Sequence, residues 1–411
     1  MPKKKKDILF LCQYFYPEHN SSATLPFDTA KYLAQNGFSV GAMVGYPKEY
    51  SDDRDVPMNE TKDGVEITRL KYLQLKRSGK IGRLINYFSF TAKCLTKERL
   101  LKQYRSVIVY SNPPILPILP LIAKKRYNIR LVFVAYDVYP EVAFASKSLS
   151  KSGLITKVMS KINHYLYRYA DCIVALTDEM KEYLLSNRKE LSDKRIVTIP
   201  NWAHEDAYEV SDDAYERFGY NKDQFIVSYF GNMGICQDID TMMKAAEYLK
   251  DNDDIKFLIV GHGNKKEIVK QIIQENHLSN VQLLDFLVGE DFRKAVAISS
   301  CSIVSLEKGL KGTCAPSKYY SYLQGGQPVL AVVEEDSYLA EEVEKRKIGK
   351  YVRLGDGLGM SRIITELAAD SDECEKLGNN ARQLYEQTYA MDIGMKKYQK
   401  LFKRILMNKE K

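Results

Sequence analysis

The segment from Cys314 to Leu330 carries residues whose types and spacing fit a bound anion. Pro316 and Ser317 stand just ahead of Lys318, at the start of a predicted short helix that ends in the turn Gly325-Gly326. The N-terminus of a helix presents unpaired N–H groups and the positive end of the helix dipole, which favour anions. Lys318, one turn inside that end, adds a full positive charge. The pattern predicts a phosphate or diphosphate pocket, although an ordinary solvated helix start with a surface lysine has the same composition.

Two glycine-rich turns follow consecutive predicted strands in the second half of the chain. The first is Gly231-Asn-Met-Gly234, after the strand Phe225–Phe230, and the second is Gly261-His-Gly263, after Lys256–Val260. Glycine lets the backbone approach a ligand where a side chain would collide. Many strand-to-helix turns contain glycine for geometry alone. Two such turns on successive strands, together with the Pro-Ser-Lys helix, predict one ligand site at one edge of one sheet.

Strands and helices alternate along the whole chain, which indicates an α/β fold. In the first half the predicted strands are Ile8–Cys12, Phe38–Val44, Val107–Tyr110, Leu131–Ala135, Cys172–Leu176 and Ile196–Ile199. In the second half they are Phe225–Phe230, Lys256–Val260, Val281–Leu284, Ser302–Leu306 and Val329–Val333. This alternation predicts parallel sheets with helices on both faces, whose ligands bind beyond the carboxyl ends of the strands.

The alternation restarts after a polar stretch, Glu205–Glu216, so two doubly wound domains are predicted. The first spans residues 1–200 and the second residues 201–385. A last amphipathic helix, Asp392–Asn408, lies in a third segment of residues 386–411. A chain of 411 residues has the length that two such domains need.

Composition argues against several classes of protein. The apolar fraction of 45% and the charged fraction of 28% are those of an ordinary soluble protein. Seven scattered cysteines, odd in number and without a C-x-x-C pair, indicate reduced thiols in the cytoplasm rather than a disulfide framework or a zinc site. The longest uncharged run, Ser106–Ala123, holds four prolines, so no transmembrane span is predicted.

Positive charge is concentrated in the first half of the chain. From Lys76 to Arg168 there are 18 lysines and arginines against three acidic residues, a net charge of +15 in a chain of net charge +8. Within this region Gly82–Leu101 can be drawn as a helix with Phe88 and Leu95 on one apolar side, a pattern typical of a membrane interface. A packed helix with a solvated basic face is the alternative. Because no nucleic-acid reader motif accompanies the charge, a peripheral position on an anionic membrane is expected and nucleic acid is ranked last.

Taken together, the motifs resemble bacterial glycosyltransferases of family four, which have the GT-B architecture of two facing Rossmann-like domains. The resemblance covers nearly the whole chain. It rests on Gln13-Tyr-Phe-Tyr-Pro-Glu18, Tyr136-Asp-Val-Tyr-Pro-Glu141, Ile199-Pro-Asn201, Gly231-Asn-Met-Gly234, Val260-Gly-His-Gly263, Pro316-Ser-Lys318 and Gly326-Gln-Pro-Val329. The chain is most similar to the subgroup that transfers amino sugars, of the fucosamine type, in surface polysaccharide assembly. In this family the last helix crosses back onto the first domain.

The resemblance implies a retaining, metal-independent transfer of a sugar from a nucleotide-diphosphate donor, with UDP the expected nucleotide and no cofactor. The donor would bind the second domain, and a lipid-linked saccharide or glycan acceptor the first. N–H groups near Gly231 and Asn232 would meet the diphosphate and Lys318 would add positive charge. Leu287 and Val288 would border the base. The other donor-side positions are Gly261, His262, Gly263, Pro316, Ser317 and Ser321.

Acidic residues of the first domain are the candidates for handling the acceptor. Asp137 and Glu141 could take the acceptor proton or hold a sugar hydroxyl; otherwise Asp137 caps a turn and Glu141 is solvated. The predicted acceptor side also includes Glu18, Asn20, Ser21 and Tyr136, the last of these at the family's usual catalytic histidine position. Asp238 and Asp240 resemble a D-x-D metal signature, but they stand at a helix start, where carboxylates favour the dipole without a metal. No metal site is predicted.

The chain departs from the family pattern at several site positions. Thr313 and Ser321 stand where many members have two glutamates. Asn232 and Gln237 stand where many members have an arginine and a lysine, and Asn20-Ser21-Ser22 replaces a glycine pair. Two alternatives therefore stay open. One is a sugar-nucleotide epimerase, which needs an acid–base pair and histidines around the cleft, and the other is a catalytically degenerate partner in an assembly.

Overall fold

The structure is a computed structural model that describes residues 4–47, 55–75, 80–203 and 211–407. The chain forms two compact units, each with its own sheet. The first unit consists of Met1–Asn201, Gly312–Ala315 and Asp392–Lys411, and the second of Trp202–Lys311 and Pro316–Met391. The predicted polar break at Glu205–Glu216 lies partly outside the described residues, which resume at Ser211.

The first unit is built on an eight-stranded sheet in the order β3-β4-β2-β1-β5-β6-β7-β8. The strands are β1 Lys6–Cys12, β2 Val40–Gly45, β3 Asn59–Lys62, β4 Val65–Leu70, β5 Tyr104–Tyr110, β6 Arg130–Ala135, β7 Cys172–Ala175 and β8 Ile196–Thr198. All neighbours pair in parallel except β3 with β4. The strands β1, β2, β5 and β6 are almost continuous buried apolar runs, as expected of parallel strands covered on both faces.

Helices connect these strands, and three of them form a layer on one face of the sheet. They are α1 Ser21–Gln35, α2 Lys80–Leu95, α3 Ile118–Tyr127, α4 Glu141–Ala145, α5 Leu154–Tyr169 and α6 Asp178–Asn187, with 3-10 turns at Glu98–Gln103 and Asp193–Arg195. The helix predicted for Gly82–Leu101 thus ends at Leu95. The crossovers through α2, α3 and α5 all step in the same direction along the sheet, and such crossovers are right-handed. These three helices therefore lie side by side, with α3 in contact with both others.

The second unit is built on a six-stranded parallel sheet in the order β11-β10-β9-β12-β13-β14. The strands are β9 Phe225–Phe230, β10 Ile255–Val260, β11 Val281–Leu284, β12 Cys301–Ser305, β13 Val329–Val333 and β14 Gly349–Arg353. Counted within this unit the order is 3-2-1-4-5-6, the doubly wound order of nucleotide-binding sheets. The strand order reverses between β9 and β12, so a ligand is expected beyond the carboxyl ends of these two strands.

Helices cover both faces of the second sheet. They are α7 Asp212–Phe218, α8 Asp240–Tyr248, α9 Lys266–Glu275, α10 Gly289–Ala297, α11 Lys318–Gln324, α12 Tyr338–Arg346, α13 Gly357–Ala369 and α14 Ser371–Leu384, followed by a π-helical turn at Tyr385–Tyr389. Two buried apolar clusters lie on the two sides of the sheet. The two units confirm the prediction of Rossmann-like domains with parallel sheets.

The last helix, α15 Met391–Met407, returns to the first unit as predicted. Its Leu406 carbonyl accepts a hydrogen bond from Nη2 of Arg105 at 2.7 Å. Gln399 Nε2 donates to Oδ1 of Asn36 at 3.1 Å. The predicted last residue of this helix, Asn408, lies outside the described residues.

Candidate functional site

The two glycine turns of the second unit lie against each other at the carboxyl ends of β9 and β10. The Gly231 N–H donates to the Val260 carbonyl at 2.8 Å, and the Met233 N–H donates to the His262 carbonyl at 2.6 Å. A Cβ on Gly261 would lie 1.9 Å from the Gly231 carbonyl oxygen, and Gly261 has a φ of 148°. The close approach of the two turns therefore requires glycine at position 261.

The hydrogen bond from Gly231 leaves one main-chain donor of this turn without a partner among the described residues. Because the Gly231 N–H continues the pairing of β9 with β10, that group is engaged within the protein and is not free for a diphosphate. The next N–H, that of Asn232, has no partner within the described ranges. Asn232 is exposed, and its carbonyl accepts a hydrogen bond from the Tyr229 hydroxyl at 2.8 Å. The main-chain donor available at this turn is thus Asn232.

Lys318 is the first residue of α11, not one turn inside the helix as predicted. Its Nζ lies 3.5 Å from the centroid of the Tyr229 ring, and a Cβ on Gly231 would lie 3.8 Å from the same Nζ. Nζ is buried and makes no hydrogen bond to the residues the structure describes. Burial lowers the pKa of Lys318 well below the ordinary lysine value. A buried amine with no counter-charge favours an anion beside it, since the anion would stabilise its charged form.

Lys265, which the sequence analysis did not single out, brings a second ammonium to this edge. It follows Gly263 by two residues, and its own N–H donates to the Met233 carbonyl at 2.9 Å. Its Nζ donates to the Gln237 carbonyl at 2.7 Å and to Oε1 of Glu307 at 2.6 Å. Gln237 stands where many members of the resembled family have a lysine. Lys265 therefore places a cation beside that position from the neighbouring turn.

Other predicted donor-side residues surround the same edge. Beyond β11, Leu287 packs on the core and Val288 is exposed. His262 is exposed, and its ring meets the edge of the Phe286 ring at a centroid distance of 5.5 Å. Phe286 is half exposed and was not predicted. Aromatic and apolar surface beside the glycine turns is suited to a flat base.

The start of α11 holds the last group of predicted donor-side residues. Pro316 is half-buried, and Ser317 is exposed and makes no capping hydrogen bond with its side chain. Ser321, one turn further along α11, is half-buried. Thr313 lies in the segment that belongs to the first unit, where its carbonyl accepts from the Val138 N–H at 2.7 Å.

A narrow pocket, closed to a molecule the size of water, lies beyond the carboxyl ends of β5 and β6 in the first unit. It is lined by Ser111, Pro114, Phe133, Asp137, Tyr139, Asn163 and Tyr167. The Asp137 N–H donates to Ser111 Oγ at 3.0 Å. Burial raises the pKa of the Asp137 carboxyl to about 6, and no basic side chain in the described part of the chain pairs with it. A carboxyl with this pKa can accept a proton near neutral pH.

Glu141 begins α4 and lies beside this pocket. Its carboxylate accepts from Nη2 of Arg188 at 2.6 Å, and neither side chain is fully exposed. The Arg188 guanidinium also lies 5.2 Å from the centroid of the Tyr167 ring. The ion pair therefore fixes one wall of the pocket. Asp137 is the carboxyl of the pocket that has no cation beside it among the described residues.

The other predicted acceptor-side residues do not line this pocket. Tyr136 is the nearest of them in sequence, because it precedes Asp137. The Tyr136 ring packs against Tyr110 at a centroid distance of 5.0 Å. The remaining three lie at the junction of β1 and α1, where Glu18 is buried, Asn20 precedes α1, and Ser21 is the exposed first residue of α1. They follow the carboxyl end of β1, and the strand order of this sheet reverses between β1 and β5, where a ligand is expected.

The described residues contain no group of three or more His, Cys, Asp and Glu side chains placed to hold a metal ion. Asp238 caps α8, because its carboxylate accepts from the Thr241 N–H at 3.0 Å and from the Thr241 hydroxyl at 2.6 Å. None of the described helices is both long enough and apolar enough to span a bilayer.

Both halves of the chain match models of known families. Residues 27–202 match the model described as Glycosyl transferase 4-like domain, and residues 211–384 match Glycosyl transferases group 1. A curated relative named "Probable glycosyltransferase WbjE", from Pseudomonas aeruginosa, is 24% identical over 324 residues. That match covers 77% of this chain and 78% of WbjE.

Solved structures share the fold over the whole chain. Sucrose-phosphate synthase from Thermosynechococcus elongatus has a TM-score of 0.79 at 14% identity, covering 98% of this chain and 100% of that one. HepE from Anabaena, solved in complex with UDP, has a TM-score of 0.70 at 15% identity, covering 97% of this chain and 100% of HepE. The chain is therefore a glycosyltransferase of the GT-B fold, composed of a Glycosyl transferase 4-like domain and a Glycosyl transferases group 1 domain.

Proposed function

We propose that the protein transfers a sugar from a UDP-sugar bound by the second unit to an acceptor bound by the first. The observation that carries this proposal is the amine of Lys318, which is buried beside Gly231 and makes no hydrogen bond to the described residues. A donor diphosphate would supply the missing counter-charge. The complex of HepE with UDP supports a uridine nucleotide.

The chemistry assigned to the second unit is stabilisation of the leaving group. As the glycosidic bond breaks, negative charge develops on the departing diphosphate. The ammonium of Lys318, the N–H of Asn232 and the ammonium of Lys265 would face that charge from fixed positions. Preorganised donors of this kind are usually the largest catalytic contribution, and loss of one costs about 2.7–4 kcal/mol of barrier. The proposed transfer proceeds with retention and draws its positive charge from side chains rather than from a metal.

The acceptor chemistry is assigned to the pocket of Asp137. Its carboxylate would take the proton of the acceptor hydroxyl, while Glu141 holds Arg188 against the pocket wall. The proposed donor sugar is an N-acetylated amino sugar, and the proposed acceptor is a lipid-linked saccharide or glycan of capsule, exopolysaccharide or O-antigen assembly. These finer assignments are supported by the resemblance in sequence and by the basic first half of the chain. The proposed location of the enzyme is the cytoplasm, at the inner face of the cell membrane.

The test begins with the nucleotide. Thermal unfolding of the full chain is measured with UDP, GDP and ADP, each also as sugar conjugates. A ligand at a hundred times its dissociation constant adds about 2.7 kcal/mol to the free energy of unfolding, which is easily measured. UDP and one UDP-sugar should raise the midpoint most. UDP release in the presence of lipid-linked saccharides then measures transfer, and a preference for GDP or ADP would contradict the uridine assignment.

The same reagents separate the two alternative functions. Incubation of the donor without any acceptor would yield an isomerised sugar nucleotide if the protein were an epimerase. A degenerate assembly partner would bind UDP-sugars without turnover on any acceptor. That second outcome is the one favoured by Thr313 and Ser321, which replace the two glutamates of the resembled family.

A further inference from the structure

Helix α2 turns its apolar side away from the protein. Its packed side carries Asn86, Phe90 and Cys94, which are buried. The opposite side carries Ile81, which is 74% exposed, and Phe88, which is 45% exposed. The same side also holds Leu84, Ile85, Ala92 and Leu95, all half-buried or exposed. An amphipathic helix of a globular core shows the reverse arrangement, so the side by which α2 packs is not its most apolar side.

Helix α5 has a second exposed stripe. Leu154, Val158, Tyr165 and Tyr169 recur along one line of the helix, and Leu154 is 78% exposed. The buried side of α5 carries Met159 and Ile162, which pack with Ile118 and Leu121 of α3. On the exposed line the Tyr165 and Tyr169 rings stack at a centroid distance of 6.2 Å. The stripe on α5 is therefore accessible along the whole length of the helix.

The two stripes belong to the same layer of helices. Helix α3 contacts both α2 and α5, and all three cover one face of the first sheet. We call the outward sides of α2 and α5 the α2/α5 surface, defined by Ile81, Leu84, Ile85, Phe88, Ala92, Leu95, Leu154, Val158, Tyr165 and Tyr169. Cations border it on α5, where Lys157, Lys161 and Arg168 are exposed and form no ion pair with the described residues. On α2, Lys93 is exposed at the flank beside Asn86.

Acidic residues offset little of this charge, and the carboxylate beside α5 is that of Glu190, which pairs with His164. Of the three carboxylates between Lys76 and Arg168, Glu98 is buried and pairs with Arg126, and Glu141 pairs with Arg188. The third, Asp137, lines the acceptor pocket. Exposed aliphatic and aromatic side chains bordered by lysine and arginine are the composition of helices that lie in a membrane interface. A second copy of the chain would bring the same positive charge face to face, and a nucleic acid would leave the apolar stripes unused.

We propose that the α2/α5 surface docks on a bilayer that contains anionic phospholipids. The apolar side chains enter the interface, and the lysines and arginines face the phosphate groups. Asn163, on the buried side of α5, lines the pocket of Asp137, so a docked α5 would keep that pocket one helix diameter, roughly 10 Å, from the lipid surface. This inference goes beyond the proposed sugar transfer and does not depend on it, because docking is measured without donor or acceptor.

The test is co-flotation of the full chain with vesicles of phosphatidylcholine alone and of phosphatidylcholine with phosphatidylglycerol. The wild-type chain should float with the second vesicles only, and less so as salt is raised. Lys157→Glu with Lys161→Glu should weaken binding about fivefold for each cation lost. Phe88→Ser with Leu154→Ser should weaken it at least about tenfold.

Matched controls come from the second unit. Tyr248→Ser with Ile268→Ser changes two exposed apolar residues there, and Lys250→Glu with Lys270→Glu changes two exposed lysines. Both controls should float as the wild type does, and no variant should lose stabilisation by UDP. Absence of flotation with anionic vesicles, or equal loss in the control variants, would overturn the proposal. The proposal would also be overturned if light scattering showed a dimer that Phe88→Ser with Leu154→Ser converts to a monomer, while the same double variant still bound vesicles as the wild type does.

Discussion

Replacement of Lys318 by methionine should make the ligand-free protein more stable while removing its activity. In the folded protein Nζ is buried against the Tyr229 ring and has no hydrogen-bond partner among the described residues, whereas in the unfolded chain it is hydrated. A buried donor left unsatisfied costs about 1–3 kcal/mol. Methionine is of similar length, has no donor, and its sulfur packs favourably on an aromatic ring. The substitution therefore removes a cost and keeps the packing.

The expected gain is about 1–3 kcal/mol, and each kilocalorie raises the unfolding midpoint by about 2–4 °C in a domain of this size. Its pH dependence follows from the lowered pKa of Lys318. Since the folded state binds this proton less tightly than the unfolded chain, the lysine costs stability at neutral pH. That cost disappears as the pH rises to the ordinary lysine value. The advantage of the variant should therefore shrink in alkaline buffer.

Calorimetric unfolding of the wild type, Lys318→Met and Lys124→Met tests this reasoning. Lys124 is the matched control, because it is a largely buried lysine whose Nζ is paired with Asp171. Its substitution should lower the midpoint, since the carboxylate of Asp171 loses a partner. Turnover by Lys318→Met should fall about a hundred- to thousandfold. A lower midpoint for Lys318→Met would show that the amine is satisfied without a ligand, and near-normal turnover would remove it from the mechanism.

Three further predictions concern the two sites. Because burial raises the pKa of Asp137 to about 6, the rate of sugar transfer should fall as the pH drops through about 6. Asp137→Asn should reduce the rate and abolish this fall at low pH. Gly261→Ala should weaken UDP binding at least about tenfold, because the Cβ of the alanine would lie 1.9 Å from the Gly231 carbonyl oxygen. Calorimetric titration with UDP measures this affinity, and an unchanged affinity would contradict the close packing of the two turns. Lys265→Met should raise the dissociation constant for UDP about tenfold or more, and substitution of Lys318 should weaken UDP binding in this variant as it does in the wild type. An effect of Lys265→Met on stability alone would assign Lys265 a purely structural role through Glu307.

Most strands of the two sheets could be predicted from the sequence because they are continuous apolar runs, whereas β3, β4 and β14 could not. β9, β11 and β13 have the predicted bounds. The hairpin of β3 and β4 was missed because β3 is polar and partly exposed. A signal was present in Asp63-Gly64, whose φ values of 50° and 81° are those that a two-residue hairpin turn requires.

The sequence predicted that the two glycine turns and Lys318 lie together at one sheet edge, as they do, but their hydrogen bonding could not be predicted. Sequence could not show that the Gly231 N–H is already used by Val260, because that depends on the pairing of β9 with β10. Lys265 was missed because its ammonium reaches Gln237 and Glu307 from a different turn. Asp137 was a candidate from its neighbours in sequence, while its raised pKa comes from burial that only the fold creates.

The orientation of α2 is another feature that the sequence alone could not predict. The sequence showed an apolar side and basic residues, but it could not show which side packs. Asn86 and Phe90 face inward and Phe88 outward, which only the tertiary structure shows.

The central claim is that the second unit binds a nucleotide diphosphate through the amine of Lys318. Calorimetric titration of UDP into the wild-type chain and into Lys318→Met tests it most directly. The wild type should bind UDP, and the variant should bind it at least about tenfold more weakly although it is the more stable protein. Equal affinity of the two proteins, or no binding of UDP by the wild type, would contradict the claim.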